Sequence, residues 1–187
     1  MGSLSLIDVL GATIIGAILL LSMLSATYHV QAMSLNIRMY VNLFDISDNT
    51  ISIVEAYLSK VGFGLPAGTT AILAATPDSV LFRAKLSLLD STYTTLSLVQ
   101  GDSIADKGYP FQLKRNGVRE LGPFYLSDKM ILTYYDENVD ATTDPPDIRS
   151  VKCEMEFFYK TSGKFDTKQY KNRITFWKYF KNLYLQN

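Results

Sequence analysis

From Val9 to Ala26 no position carries a charge, and nearly every one is apolar or small. At about 1.5 Å per helical residue this run approaches the ~30 Å of a bilayer core, so a transmembrane helix is expected at about residues 8–28. The apolar pattern then continues. Between Gln31 and Val61, apolar side chains recur in steps of three or four at Ala32, Leu35, Met39, Leu43, Ile46, Val54, Leu58 and Val61, with Thr50 bridging the one gap. Ser34, Arg38, Asn42, Asp45, Asn49, Ser52, Glu55 and Ser59 fall on the opposite face. The spacing predicts one long helix over 4–61, apolar all round in its first half and amphipathic in its second. Its weak stretch is Asp45 to Thr50, where Asp, Asn and Ser side chains compete for backbone hydrogen bonds and could kink or interrupt the helix, so its continuity there is left open. Gly62, Gly64 and Pro66 end the helix.

Beyond Pro66 the period changes to two, which marks residues 62–187 as a β-rich head. "SVLFRAKLSL" places Val80, Phe82, Ala84, Leu86 and Leu88 on one face, and "VKCEMEF" does the same for Val151, Cys153, Met155 and Phe157. Both read as half-buried antiparallel strands. "LKRNGVREL" is a hairpin, because Asn116-Gly117 supplies the positive φ angles of a two-residue turn. Met130 to Asp136 and Asn172 to Phe180 add further strands. The fold class is therefore α+β, a long N-terminal helix packed on an antiparallel β-sheet head.

Charge and composition narrow the function. Eighteen basic and eighteen acidic residues cancel, so no global field draws the chain to nucleic acid or to an acidic surface. One cysteine and one histidine exclude an intramolecular disulfide framework and multi-histidine metal sites. With no Gly-rich phosphate loop, CxxC pair or HExxH, and with His29 just beyond the apolar run, the chain reads as a non-enzyme. Cys153 alternates with core residues and reads as a buried structural thiol.

Asp8 stands at the start of the apolar run. A carboxylate near a bilayer centre costs about 2.5–3.5 kcal/mol on insertion scales, so something should offset it. One bland account puts Asp8 at the headgroup boundary or at the helix start, where the helix dipole favours an anion. A secretory signal peptide fits poorly, since no Lys or Arg precedes the run and the first basic side chain is Arg38.

The stretch "LSLIDVLGATIIGAILL", Leu4 to Leu20, resembles the N-terminus of the type IV pilin superfamily. Shared features are a short leader, a small residue at the peptidase site, an acidic residue near the start of the mature chain and an apolar helix. The resemblance implies a leader of residues 1–3, with Gly2, Ser3 and Leu4 framing the processing site. Cleavage between Ser3 and Leu4 makes Asp8 the fifth mature residue; cleavage after Gly2 makes it the sixth. The resemblance further implies a lollipop-shaped subunit held in the cytoplasmic membrane by a single span, processed and methylated through a prepilin peptidase, and then packed by pilus assembly machinery into an extracellular filament. Leu6, Ile7, Val9, Leu10, Ile14, Ile15, Ile18 and Leu19 would form the helical core with other copies or other pilin subunits. Asp8 would pair with a neighbour's N-terminal amine, a device better suited to setting register than to adding stability. Gly11 and Gly16 would ease close helix packing. Residues 110–158 resemble, more loosely, the β-region of larger minor pilins and pseudopilins. The alternatives are therefore a minor pilin or pseudopilin of a secretion pseudopilus, and a single-span anchored extracellular binding domain that never polymerises.

Two stretches invite ligands. Asp136, Asn138, Asp140, Thr142, Asp144 and Asp147 fall at places 1, 3, 5, 7, 9 and 12 of a loop, the spacing of a twelve-residue Ca²⁺ loop. Ala141 stands where such a loop has glycine, and Asp147 where it has a bidentate Glu. An acidic hairpin loop exposed to water explains the same residues; Ca²⁺ is the one cofactor with any signal, and none is required. The tail "FWKYFKNLYLQN" interleaves aromatic and basic residues, as adhesive or single-strand-binding surfaces do. The preferred reading is a last strand whose outer aromatics face a neighbouring subunit, with no nucleic acid expected.

Overall fold

The computed structural model describes residues 6–160 and 169–184. Helix α1 spans Leu6–Leu58, and the chain divides into two compact units between Asn42 and Leu43. In the second unit, eight strands follow: β1 (Ile72–Thr76), β2 (Ser79–Ala84), β3 (Thr94–Gln100), β4 (Tyr109–Arg115), β5 (Val118–Leu126), β6 (Ile131–Tyr135), β7 (Ser150–Lys160) and β8 (Gln169–Tyr179), then a turn of helix α2 (Lys181–Tyr184). All neighbouring strands pair antiparallel. They form two sheets where one was expected, β1-β2-β3-β4-β5 and β6-β7-β8. The sheets are tied together by Leu132 N–H donating to the Pro77 carbonyl at 2.8 Å and Ser127 N–H donating to the Glu156 carbonyl at 2.8 Å. The Tyr134 hydroxyl adds to this, lying 2.9 and 2.8 Å from the carbonyl oxygens of Thr76 and Ser79.

Within the head unit, α1 buries Leu43, Ser47, Thr50, Val54, Tyr57 and Leu58. The expected stripe is thus corrected by one position: Ser47 is buried and Ile46 is 49% exposed. A 3.6-residue repeat places 47, not 46, in line with 43, 50 and 54. Through Asp45–Thr50, where the sequence leaves continuity open, the helix runs on. Ser47 Oγ donates to the Leu43 carbonyl at 2.7 Å, so the hydroxyl that competes with the helix in isolation is instead satisfied inside it. Ala32, Leu35 and Met39, also expected on the stripe, are not buried. Tyr57 fixes the helix to the five-stranded sheet: its ring meets Phe82 edge-on at 6.0 Å, and its hydroxyl donates to the Lys114 carbonyl at 2.5 Å.

The helix ends at Leu58, three residues before its expected end, in a series of tight turns. Gly62 there has φ +73° and lies against the Leu183 side chain, and it is the conformation that favours glycine. The strand alternation in β7 is as expected, with Val151, Cys153, Met155 and Phe157 all buried. So is the β4–β5 hairpin, with Asn116 at φ 50°, Gly117 at φ 80° and Arg115 opposite Val118. β2 is shorter than expected. Val80, Phe82 and Ala84 are buried, but Leu86 and Leu88 lie beyond its end and are exposed. There Ser87 N–H donates to the Asp90 carboxylate at 2.8 Å, closing a turn that leaves Leu88 and Leu89 73% and 94% exposed.

Candidate functional site

Helix α1 from Leu6 to Asn42 forms a unit of its own, and no residue in it is buried. Leu6, Ile7, Val9, Leu10, Ile14, Ile15, Ile18 and Leu19, the residues expected to form a helical core, are all exposed and lie all round the helix. It is long and apolar enough to cross a membrane. Its few hydroxyls are compatible with hydrocarbon. Thr13, Ser22 and Thr27 donate to the carbonyls of Val9, Ile18 and Met23 at 2.8, 2.9 and 2.8 Å, so these three donors are satisfied without water. Asp8 sits in the first turn, where the helix dipole favours an anion. A Cβ at Gly11 or Gly16 would meet nothing within 4 Å, so neither glycine is required by the single chain. Gly2, Ser3 and Leu4 lie outside the described residues.

Val30, Met33, Ile37, Tyr40, Val41 and Phe44 are exposed as well. Val30, Met33, Ile37, Val41 and Phe44 follow one another in steps of three and four, the spacing of one helix face. This second stripe is legible in the sequence by its spacing, but it is masked there because the apolar residues between 30 and 46 can be read into either row.

The Asp136–Asp147 loop holds itself together by local hydrogen bonds. Asp136 Oδ1 accepts from the N–H groups of Asn138 and Asp140, both at 2.9 Å, and Thr142 Oγ1 accepts from Asp144 N–H at 3.2 Å. Thr142 N–H donates to the Tyr134 carbonyl, and Asp147 N–H to the Asp144 carbonyl. Among the described residues no three His, Cys, Asp or Glu side chains come together to hold a metal ion. The carboxylates of Asp136, Asp140, Asp144 and Asp147 are therefore not gathered round one centre.

The outer face of the three-stranded sheet carries an ionic and aromatic surface. Glu154 receives Lys152 at 2.9 Å and Arg173 at 2.7 Å; Glu156 receives Lys171 at 2.7 Å and the Ser127 hydroxyl at 2.5 Å. Hydrogen bonds from Lys152 and Arg173 hold Glu154 below the usual carboxylate range, and those from Lys171 and Ser127 do so for Glu156. Trp177 stacks on Tyr135 at 4.4 Å and lies near-parallel to Tyr179 at 6.2 Å. The tail is only partly strand: β8 stops at Tyr179, Phe180 is buried, and α2 begins at Lys181. Cys153 is buried and free, and burial pushes its thiol up, away from the reactive thiolate.

The chain matches no family model, no curated protein and no solved structure.

Proposed function

We propose that this chain is a structural subunit of a type IV pilus-like surface filament, stored in a membrane through α1 and polymerised through the same helix. The observation that supports it is the length of uncovered apolar helix. From Leu6 to Val41 the exposed apolar side chains extend over roughly 54 Å at 1.5 Å per residue. A bilayer core covers only about 30 Å. A simple anchor has no use for the remainder, whereas helices packed side by side in a filament cover all of it. In this reading Asp8 meets the N-terminal amine of a neighbouring copy, and a one-subunit error leaves a carboxylate unpaired in a water-poor core. The work done is assembly, not catalysis.

The test is the intact mass and N-terminal peptide of the protein isolated from its own cells, together with electron microscopy of sheared surface material. A chain beginning at Ser3 or Leu4 with an N-methyl group, present in filaments, is the expected result. Asp8→Ala is expected to abolish filaments while leaving the membrane-inserted pool intact. An intact Met1 and no filaments would replace this reading with a non-polymerising single-span anchor.

A further inference from the structure

We propose that the free edge of β8 pairs antiparallel with β8 of a second copy of this chain, joining two three-stranded sheets into one. The contact lies wholly in the head and does not depend on polymerisation through α1.

β8 is an outermost strand, bonded to β7 alone. Phe180 N–H donates to the Arg149 carbonyl at 2.9 Å, and the same register continues from Ser150↔Tyr179 to Lys160↔Gln169. Antiparallel bonds fall on alternate residues, so the even-numbered residues of β8 bond to β7. The N–H and carbonyl groups of Lys171, Arg173, Thr175, Trp177 and Tyr179 point the other way, and none has a partner among the described residues. All five residues are exposed. The other sheet edges are blunted. β1 has five residues and a register shift, and β5 carries shifts and Pro123. β6 already spends its Leu132 N–H on the Pro77 carbonyl and its Tyr134 carbonyl on Thr142 N–H. Shortness, bulges and proline keep edges from pairing. β8 has none of them: it runs for 11 residues in unbroken register without Pro or Gly. Charge also blunts an edge, but Lys171 and Arg173 are offset by Glu156 and Glu154, each at 2.7 Å.

The edge is complementary to itself, which makes a second copy its occupant. With a two-fold axis at Thr175, Arg173 of each copy lies opposite the other copy's Trp177, Lys171 opposite Tyr179, and Thr175 opposite Thr175. Cations then sit beside aromatic rings, hydroxyl beside hydroxyl, and no like charges meet. An axis at Arg173 would set guanidinium against guanidinium, and one at Trp177 would push Arg173 past the end of the facing strand. On the inner face, the axis at Thr175 brings Ile174 opposite the other copy's Phe176. These two extend the rows of Met155 and Cys153, which are buried, yet are themselves only half-buried, because β8 has a neighbour on one side alone. A contact that uses the same patch on both copies closes on itself as a dimer.

The test uses the full chain in detergent micelles, with Asp8→Ala beside the parent so that loss of filaments and loss of head pairing are read separately. Facing Cα atoms of a hydrogen-bonded antiparallel pair are about 5.5 Å apart, within disulfide reach. Under a mild oxidant, Thr175→Cys is expected to give a dimer linked at position 175 in both chains. The yield should exceed that of Leu89→Cys, whose 94% exposed position reports chance collision. Cys153 is buried and does not compete. Without added thiols, hydrogen exchange read by mass should show the amides of residues 171–179 becoming protected as protein concentration rises. Thr175→Pro removes an outward N–H that β7 does not use, and is expected to abolish that protection. Thr175→Lys sets like charges face to face at the axis while leaving the bonds to β7 in place, and is expected to weaken pairing several-fold. The proposal is overturned if linkage at position 175 does not exceed that at 89, if protection does not depend on concentration, or if Thr175→Lys pairs as tightly as the parent.

Discussion

The Asn182 side-chain amide donates to the Val61 carbonyl at 2.9 Å and to the Ser59 carbonyl at 3.0 Å. Both carbonyls belong to the turns that follow α1, and α2 supplies their donor, with Leu183 seated against Gly62 beside it. Asn182→Ala is expected to cost about 1–2 kcal/mol, read from urea unfolding followed by the fluorescence of Trp177, the only tryptophan. Asn182→Asp should cost more, because it replaces the donor by an acceptor at the negative end of the helix dipole. Equal stability in all three proteins would mean that water satisfies these two carbonyls as well as Asn182 does.

The one-position shift of the α1 stripe gives a direct comparison. Leu58 is fully buried and Ile46 is not. Leu58→Ala is expected to cost about 2–5 kcal/mol, and Ile46→Ser under about 0.5 kcal/mol, in the same urea measurement. A cost for Ile46→Ser comparable to that of Leu58→Ala would restore the stripe anticipated from the sequence.

Acid should weaken the three-stranded sheet slightly. Glu154 and Glu156 titrate below their unfolded values because cations and a hydroxyl bind their charged forms. Each therefore contributes stability that is complete above the unfolded value of about 4.3 and is lost as the pH falls through the lower folded value. Both carboxylates lie near solvent, so the effect is that of surface pairs, about 0–1 kcal/mol each. Unfolding free energies measured from pH 6 down to about pH 3 should show the loss. The Glu154→Gln, Glu156→Gln double variant should flatten the slope, and high salt should shrink it.

Cys153 should resist alkylation in the folded protein and react on unfolding, because burial both shields the sulfur and disfavours its thiolate. Time courses with iodoacetamide, with and without denaturant, read by mass, check this. Rapid native labelling would place Cys153 in an open region of the head.

What the sequence determined by itself is local. The apolar run of α1, the period-2 alternation of Val151 to Phe157 and the Asn116-Gly117 turn each follow from residues within a few positions of one another, and each stands in the structure where the pattern puts it. The chain also shows, before any fold is known, that one segment is apolar enough to cross a membrane. The tertiary structure decided what depends on distant partners. It chose Ser47 over Ile46 for the buried face, because helical register counts for more than apolarity when a hydroxyl can bond back to Leu43. It also holds the two sheets together through Ser127 to Glu156, a link across 29 residues that no local pattern encodes. A pocket beside Arg149 draws its walls from residues 68–72, 145–149 and 183. No spacing rule joins three such segments; only the packing of the strand ends brings them to one place.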